Sequence, residues 1–473
     1  MKYFARTFCT LALLTLWPAG LFAQNTYLYN SGYASNIVSG YSIDATTGSL
    51  TGVPGSPYAV PTGSSPGQVA TDSQCRHAYV SNWDATLSAF SINPSDGSLT
   101  SILAPPTPTS SHSPWVAVDP QDTHVFVGNY SNSTISVYNQ ANGVLTAASG
   151  SPFPSGGSTP EALSVDATGK FLFSLNEYDP TNSNVGLISA FAIGPSGSLT
   201  LVGSYRTRYD PRGLTIAPSN KFLYVSNTQG YSVSAFAIDQ TSGALTEIQG
   251  SPFSAPYNIY QFAIHPSGTY GWIGTDSGGL SSYSIDPTTG AISKTSDIYF
   301  GPNPSTLAFE PTGHWFYSNN QGGSDVLDQW SADSSASAHV VGQFPAGHSA
   351  TYSSVCKPVP YKAAIQQPIN ADGSSVFRAT RGVVPVKWTL SSNGSATCSL
   401  PPATIALSRL AGGTSTPIDE STYEMSADAG SNYRIDSCQY VYNMQSSSLG
   451  VGSYTVSINV NGFSAGSIGF ALN

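Results

Sequence analysis

Apolar and polar residues alternate along most of this chain, in short segments that end in polar or glycine-rich turns. Alternation with a period of two places successive side chains on opposite faces of an extended strand, so the pattern predicts β-strands throughout and scarcely any helix. The segments recur as one unit with a period in the high forties. Each unit contains an apolar strand, a second strand with an aromatic residue, a polar loop, a third strand and a hairpin.

Seven copies of the second strand can be recognised. Six copies of the following hairpin carry a glycine, as in YSIDATTGSL from Tyr41, and a glycine there supplies the positive φ of a bulged turn between antiparallel strands. The seventh unit, around Asp328 to Ser337, lacks this turn. The predicted second strands are Tyr27 to Asn30, Ala78 to Asn82, Val125 to Asn129, Phe171 to Leu175, Phe222 to Asn227, Tyr270 to Gly274 and Trp315 to Asn319.

Repeats of this length, each forming one small sheet, predict an all-β fold, a seven-bladed β-propeller. Such a ring has to close, because an open ring would expose a long sheet edge. The first unit begins at its second strand near Tyr27, and an unmatched first strand occurs at the far end, from Ser349 to Cys356. We predict that this strand completes the N-terminal blade, so that the propeller covers residues 24–356.

The first 23 residues have the pattern of an export signal. Lys2 and Arg6 precede an apolar run from Phe8 to Trp17, and small residues follow up to Ala23. The run is too short to span a bilayer, and no later stretch approaches the roughly 20 apolar residues of a membrane helix. We therefore expect a chain that is secreted or periplasmic, without membrane insertion.

The composition is that of an exported all-β protein. Only 9% of residues are charged, and removal of Lys2 and Arg6 leaves 14 basic and 26 acidic residues, a formal charge of −12. A nucleic acid is therefore not an expected partner. The abundance of glycine also fits a disordered chain, but Tyr, Phe, Val and Ile are spread evenly enough to build cores.

Four cysteines remain after removal of the signal, and the repeats suggest how they pair. Cys75 ends the first strand of the second blade, and Cys356 ends the strand predicted to complete the first blade. A disulfide between them would fasten the ring in an oxidising compartment, whereas two free thiols are the alternative. Cys398 and Cys438 lie in the C-terminal region and are predicted to pair with each other.

The chain after Cys356 has no propeller repeat. Residues 357–362 fall in a proline-rich stretch that we interpret as a linker, and residues 363–473 contain short alternating strands that fit a small β-sandwich. The clearest of these strands begin at Val383, Ala403, Tyr433 and Ser453.

The propeller region resembles the lactonase family of seven-bladed propellers, also described by the YVTN repeat, over roughly residues 26–356. The resemblance is carried by YVSN at Tyr79 and Tyr224, by GSPF at Gly150 and Gly250, and by DPRGLTIAPSNKFLYVSN from Asp210. It implies the propeller fold. It implies an activity less specifically, because the family includes 6-phosphogluconolactonase, muconate cycloisomerase-type enzymes and many exported members of other or unclear role.

The C-terminal region resembles the PxKF domain, an Ig-like module of secreted and surface proteins. Pro385, Val386, Lys387 and Trp388 match its signature with Trp in place of the final Phe, and VFRATRG from Val376 matches the segment before it. This resemblance implies an Ig-like sandwich and no enzymatic role.

Ligand sites of propellers usually form where the loops entering the innermost strands gather at one mouth of the central channel. Aromatic faces there would stack on a ring while charged groups fix polar edges, so Trp115, Tyr260 and Arg212 are candidate ligand-binding residues. The alternative is that these are ordinary solvated loop residues. The corresponding position in each repeat is occupied by Gly67, Trp115, Glu161, Arg212, Tyr260, Ser305 and His348.

Lactone hydrolysis needs a base for water and a cation for the oxyanion that develops on the carbonyl. The resembled family uses His, Glu and Arg at the channel mouth, and Arg212 in the Pro-Arg pair matches a family arginine. Elsewhere the chain departs from the family: Glu161 stands where a histidine is expected, and Thr228 follows Asn227 where the family has Glu. Glu177 follows Asn176 one blade earlier. The candidate catalytic residues are Arg212, Glu161, Glu177 and His348.

No cofactor or metal is expected from the sequence. The seven histidines show no pair at metal-ligand spacing, no acidic loop is dense enough for calcium, and no glycine-rich loop opens a helix to hold phosphate.

Two functional hypotheses remain. The first is an exported, non-catalytic propeller that binds a glycan, a small organic acid or a cell-surface protein. The alternative is a secreted or periplasmic lactonase that hydrolyses a lactone, as 6-phosphogluconolactonase does, with the arginine and carboxylates of the channel mouth. The incomplete match to the family's catalytic set favours the first, because a fold alone does not carry a function.

Overall fold

The structure is a computed structural model. It describes residues 25–60, 65–102, 107–141, 143–256, 258–275, 279–299, 303–321, 325–332, 337–346, 350–358, 361–370, 374–378, 382–392, 395–398, 403–411, 414–417, 434–436, 438–446, 449–460 and 463–473. The predicted signal, residues 1–23, lies outside these ranges. Within them, no helix has the length and apolarity that a membrane crossing requires.

The strands up to Cys356 form seven sheets, each with four main antiparallel strands. In chain order they are β1 (Thr26–Gly32), β2 (Ile37–Ile43), β3 (Leu50–Gly52), β4 (Tyr58–Ala59), β5 (Pro66–Thr71), β6 (His77–Asn82), β7 (Thr86–Ile92), β8 (Leu99–Ser101), β9 (Thr107–Pro108), β10 (Trp115–Val118), β11 (His124–Asn129), β12 (Thr134–Ala141), β13 (Val144–Ala147), β14 (Phe153–Pro154), β15 (Ser158–Val165), β16 (Phe171–Tyr178), β17 (Leu187–Ile193), β18 (Leu199–Arg206), β19 (Pro211–Ile216), β20 (Phe222–Asn227), β21 (Ser232–Ile238), β22 (Leu245–Glu247), β23 (Phe253–Ser254), β24 (Ile259–Ile264), β25 (Tyr270–Thr275), β26 (Gly279–Ile285), β27 (Ile292–Tyr299), β28 (Asn303–Phe309), β29 (Trp315–Gln321), β30 (Val326–Ala332), β31 (Ala338–Pro345) and β32 (Ala350–Cys356).

These sheets are the blades of a propeller, which confirms the predicted fold. Blade 1 has the order β32-β1-β2-β3, and blades 2 to 7 begin with β5, β10, β15, β19, β24 and β28 as their innermost strands. Each innermost strand packs against the innermost strands of both neighbouring blades, and the ring closes from β28 through β32 to β5. Blade 7 forms the regular order β28-β29-β30-β31 although it lacks the repeated glycine hairpin.

The chain closes the ring as predicted from the unmatched strand at its far end. β32 pairs with β1 in antiparallel register, with Tyr27 opposite Cys356 and Asn30 opposite Ser353. The first blade is therefore assembled from both ends of the propeller region. This pairing satisfies backbone groups of β1 that would otherwise form an open sheet edge.

The repeated tyrosines and glycines have a common structural explanation. The second strand of each blade is almost entirely buried, and in blades 1, 5 and 7 a tyrosine hydroxyl of this strand donates to the carbonyl of the hairpin glycine in the next blade. Tyr29 bonds to Gly97 at 2.7 Å, and Tyr224 bonds to Gly290 at 2.8 Å. Both glycines have positive φ, which a glycine adopts without steric cost. The repeat therefore encodes contacts between blades as well as the turns within them.

Both predicted disulfides form. Cys75 pairs with Cys356, with 5.3 Å between their Cα atoms, and Cys398 pairs with Cys438 at 4.9 Å. One detail of the prediction is wrong: Cys75 lies in the turn between β5 and β6, four residues beyond the last residue of β5, rather than at the end of that strand. The turn still brings it to the end of β32, so the bridge fastens the closing strand to blade 2.

The C-terminal strands form two five-stranded sheets that share one apolar cluster. Trp388 and Val386 from one sheet are fully buried with Val456 and Ile458 from the other, which is a β-sandwich arrangement. Its relation to the PxKF and Ig-like modules is untested and stays a prediction, as do the domain limits. The first strand begins at Tyr361, inside the stretch interpreted as a linker. The strands are β33 (Tyr361–Gln366), β34 (Val376–Phe377), β35 (Val383–Ser392), β36 (Ser395–Thr397), β37 (Ala403–Ala411), β38 (Thr414–Pro417), β39 (Arg434–Asp436), β40 (Gln439–Gln445), β41 (Gly452–Val460) and β42 (Phe463–Leu472).

Candidate active site at the channel mouth

Most innermost strands contain a β-bulge near the channel mouth. In blades 4, 5 and 7 the innermost strand has one extra residue opposite two consecutive residues of the second strand. The extra residues are Glu161, Arg212 and Ser305. Similar register shifts occur in blades 1, 2 and 6, whereas Trp115 of blade 3 pairs regularly with Gly128. A bulge re-aims a side chain out of the ladder, and here it presents residues to the channel.

The mouth contains a cavity of about 820 Å³, and six of the seven positions selected from the repeats line it. These are Gly67, Trp115, Glu161, Arg212, Tyr260 and Ser305. Glu177 does not line the cavity but contacts Arg212. His348 lies outside the described residues. In the innermost strand of blade 1, Thr351 and Tyr352 lie within the register shift opposite Ser31, as Gly67 and Gln68 do opposite Ser81 in blade 2, so the repeat count that gave His348 was wrong by three or four residues. The missing hairpin of the preceding unit removed the landmark for that count.

Arg212 is the centre of the charged part of the site. Its Nη1 donates to Glu161 Oε1 at 2.8 Å, its Nε to Asp210 Oδ1 at 2.8 Å, and its Nη2 to Glu177 Oε1 at 3.3 Å. The Arg212 side chain is 37% exposed, whereas the three carboxylates are at most 8% exposed. Two carboxylates come from blade 4 and one from blade 5, so the cluster joins adjacent blades.

Two N–H groups of the Arg212 guanidinium donate to none of the three carboxylates. An arginine carries five N–H donors, and within the described part of the chain the three bonds to carboxylates use one each from Nε, Nη1 and Nη2. One N–H on each terminal nitrogen therefore remains. Since the side chain is partly exposed at the cavity, these two donors can reach a bound carbonyl oxygen.

Glu177 is fixed by its own set of donors. The Tyr178 hydroxyl donates to its Oε1 at 2.6 Å, and the Tyr130 hydroxyl donates to its Oε2 at 3.1 Å. The hydrogen bond to Glu177 is the main reason why the pKa of Tyr178 rises to about 12. Burial, followed by the charges of Glu177 and Glu161, raises the pKa of Tyr130 to about 12. Both hydroxyls therefore keep their protons and hold the Glu177 carboxylate in place.

Glu161 has an unusual proton affinity for a carboxyl group. Burial raises its pKa to about 8; the Arg212 charge opposes that rise and the Glu177 charge adds to it. Three carboxylates surround a single guanidinium, so the cluster carries excess negative charge, which favours a proton on one of them. The pKa of Arg212 is raised, because the attraction of the three carboxylates outweighs its burial. With its raised pKa, Glu161 is the candidate for proton exchange near neutral pH.

Aromatic side chains form another part of the cavity lining. Tyr33, Trp83, Trp115, Tyr130 and Tyr352, which we call the aromatic wall, come from blades 1 to 3. The ring centroids of Tyr33 and Trp83 are 6.3 Å apart, those of Trp83 and Tyr130 are 6.0 Å apart, and those of Trp115 and Tyr352 are 5.0 Å apart. The wall offers apolar ring faces to a bound molecule.

Sequence reasoning missed most of this wall, although a signal for it exists. A buried asparagine ends the second strand in several blades, and its amide donates to Ser or Thr at the start of the third strand; Asn82 and Asn129 both do so. The residue after the asparagine is thereby held at the mouth. In four consecutive blades that residue is Trp83, Tyr130, Glu177 and Thr228.

The acidic residues of the mouth contact an arginine rather than forming a metal site. Among the described residues there is no group of three or more His, Cys, Asp and Glu side chains arranged to hold a metal ion.

The closed ring of seven antiparallel sheets, with an arginine–carboxylate cluster at one mouth of its channel, defines the class of seven-bladed β-propellers. Residues 25–161 and 146–259 match the model of the family described as "Lactonase, 7-bladed beta-propeller". The propeller of this chain belongs to that lactonase family.

Individual relatives agree with this assignment over different lengths. A 6-phosphogluconolactonase from Photorhabdus laumondii is 43% identical over 67 residues, which are 14% of this chain and 20% of that protein. The match thus spans about a fifth of the curated relative. A putative 6-phosphogluconolactonase from Bacteroides uniformis superposes with a TM-score of 0.61 at 17% identity, covering 70% of this chain and 99% of that one. A periplasmic gluconolactonase from Pseudomonas aeruginosa gives 0.60 at 18% identity, covering 71% and 99%. At identities of 17% and 18%, these two solved structures show that the fold is shared and nothing further.

Proposed function

We propose that this protein hydrolyses a lactone at the channel mouth. The proposal depends on one observation above all: Arg212 contacts the proton-exchanging Glu161 at 2.8 Å in the wall of a cavity. The family match and the lactonase names of several relatives favour this alternative over the binding-only hypothesis that the sequence alone favoured.

The chemistry assigns a role to each group. The Glu161 carboxylate accepts a proton from a water molecule as the water oxygen bonds to the lactone carbonyl carbon. The two remaining N–H groups of Arg212 donate to the oxyanion that forms on the carbonyl oxygen. The tetrahedral intermediate then breaks its bond to the ring oxygen, and Glu161 returns the proton to that oxygen. The product is the open hydroxy acid.

Glu177 and Asp210 act as positioning residues. They accept hydrogen bonds from Nη2 and Nε of Arg212, which fixes the plane of the guanidinium toward Glu161. The negative charge of Glu177 also raises the pKa of Glu161 and so helps to keep a proton on it in its acid form. His348, the fourth candidate, has no role in this proposal.

We expect the purified protein to hydrolyse members of a panel of sugar and muconate lactones, with kcat/KM rising as the pH rises to about 8 and levelling off above it. The base form of Glu161 is required, and a raised pKa means that this form dominates only above that value. The measurement is acid release by pH-stat between pH 5.5 and 9.5, on the order of one unit either side of the ordinary glutamate-to-raised range, with the uncatalysed hydrolysis subtracted.

Two outcomes would contradict the proposal in different ways. A rate that is already level above about pH 6 would indicate a carboxylate of ordinary pKa and exclude Glu161 as the base. Absence of turnover on the whole panel, together with binding of a sugar or organic acid by calorimetry, would return the protein to the binding-only hypothesis.

We also propose that the protein is exported, with the first 23 residues removed. The two disulfides support this, because such bonds persist in oxidising compartments. When the full chain is expressed with its first 23 residues in a bacterium, the mature protein is expected to begin at Gln24 and to contain no free thiol. Intact-mass analysis before and after alkylation under denaturing conditions checks both, and a cytoplasmic chain that keeps Met1 would contradict export.

A further inference from the structure

We propose that the substrate is an uncharged lactone, without a phosphate or carboxylate substituent, whose ring lies against the aromatic wall. This inference rests on the proposed lactonase function and specifies its substrate class. It is carried by the charges around the cavity and, separately, by the residues of the wall.

The lining of the cavity, as far as the structure describes it, contains a single lysine or arginine. Between residues 25 and 356 the chain contains seven Lys and Arg residues, and the structure describes all of them. Arg212 alone lines the cavity. The residues of this region that lie outside the described ranges include no lysine or arginine. The other six are Arg76, Lys170, Arg206, Arg208, Lys221 and Lys294.

The other basic residues are engaged or placed elsewhere. Arg206 pairs with Asp179 at 2.6 Å, and Arg208 pairs with Glu247 at 2.9 Å, both outside the cavity lining. Lys170 and Lys221 are exposed in the turns between the first and second strands of their blades, at the opposite end of these strands from the mouth. Arg76 pairs with Asp122 at 3.0 Å and Lys294 with Asp297 at 2.8 Å, and none of the six lines the cavity.

The charge of Arg212 is already balanced within the protein. Three carboxylates contact its guanidinium, which leaves the cluster negative even when Glu161 carries a proton. A phosphate dianion in the cavity would be repelled by this excess charge, and the repulsion is strengthened where water is excluded. Protein sites for phosphate instead gather several Arg or Lys side chains or a helix N-terminus. The described lining contains no such group beyond Arg212.

The aromatic wall is suited to an uncharged ring. Trp83 and Tyr130 are half-buried, so parts of their rings stay open to the cavity. Aromatic faces bind the apolar faces of sugars and other rings, and a few polar groups then fix the orientation. The wall and the Arg212 cluster meet at Tyr130, whose hydroxyl donates to Glu177. A ring resting on the wall can therefore present its ester carbonyl to the charged cluster.

The test compares glucono-1,5-lactone with 6-phosphoglucono-1,5-lactone, which differ only by the phosphate. We expect kcat/KM for the neutral lactone to be higher by about tenfold or more at low salt, and the difference to shrink as salt screens the repulsion. Equal or faster hydrolysis of the phosphorylated lactone would overturn the inference while leaving the lactonase function intact. If neither these nor any other lactone is hydrolysed, the proposed function itself fails.

Two substitutions separate the parts of the argument. Gln229 is an exposed residue of the cavity lining, and the substitution Gln229→Lys adds a cation there. It is expected to raise kcat/KM for the phosphorylated lactone by about tenfold, whereas Gln229→Met is the uncharged control.

Trp83→Leu is expected to raise KM for the neutral lactone by about fivefold with little change in kcat, because it removes a stacking face. An unchanged phosphate preference in Gln229→Lys, or an unchanged KM in Trp83→Leu, would contradict the corresponding part.

Discussion

Replacement of Arg212 by methionine is expected to lower kcat/KM for lactone hydrolysis by about 10²–10³-fold, because the oxyanion loses its hydrogen-bond donors. The change also removes the cation that neutralises Glu161, Glu177 and Asp210. Uncompensated buried carboxylates take up protons, so the remaining activity should shift to still higher pH. Steady-state kinetics on the best lactone of the panel, measured across pH, tests both effects.

The matched control for this variant is Arg208→Met. Arg208 is also paired with a carboxylate, Glu247 at 2.9 Å, but it does not line the cavity. It is therefore expected to keep near-normal kcat/KM. Thermal unfolding of both variants separates a lost catalytic group from a lost fold. If folded Arg212→Met keeps more than about a tenth of the activity, the oxyanion role assigned here is wrong.

Glu161→Gln is expected to lower kcat by about 10²–10⁴-fold, because the amide cannot accept a proton from water. The side chain keeps its size and can still accept the hydrogen bond from Arg212 Nη1, so substrate binding should change little. The rise of activity toward pH 8 should disappear from whatever rate remains, since the titrating group is gone. Separate measurement of kcat and KM across pH distinguishes the loss of the base, which lowers kcat alone, from a general loss of structure.

Two further glutamates serve as comparisons for Glu161. Glu177→Gln should reduce activity less and should retain a pH-dependent rise, because Glu177 orients Arg212 without touching the cavity. Glu310→Gln is the structural control: Glu310 is equally buried, but it accepts backbone N–H groups of Thr312 and His314 in a turn outside the cavity. If the pH-dependent rise is lost in Glu177→Gln and kept in Glu161→Gln, the base is Glu177.

Much of the fold could be predicted from the chain because the information is local and repeated. A tyrosine in several second strands and a glycine in six hairpins mark the blades, and Tyr29 and Gly97 show one structural use of this pattern, since they bond to each other across blades. The closing strand was recognisable as the element missing from the first unit. The seventh unit lacks the glycine hairpin, so the count failed there, and the position assigned to His348 falls at Thr351 or Tyr352.

The candidate site was predicted less completely. Glu161 and Arg212 were selected because a repeat position maps to a fixed place on a propeller, and both line the cavity. Trp83 and Tyr130 were missed because they follow the second strands, not the first. Glu177 was considered one blade too early by comparison with the family, yet it reaches Arg212 at 3.3 Å across the boundary between blades 4 and 5.

The sequence by itself determined the sevenfold ring and its closure by the last strand, and it suggested the partners of the four cysteines, because period, alternation and register are properties of the linear chain. Only the tertiary structure decided which side chains meet at the mouth. Bulges aim Glu161 and Arg212 inward, and the packing of adjacent blades sets how many carboxylates share one guanidinium. The raised pKa of Glu161 follows from these distances and from burial, and neither can be derived from the order of residues alone.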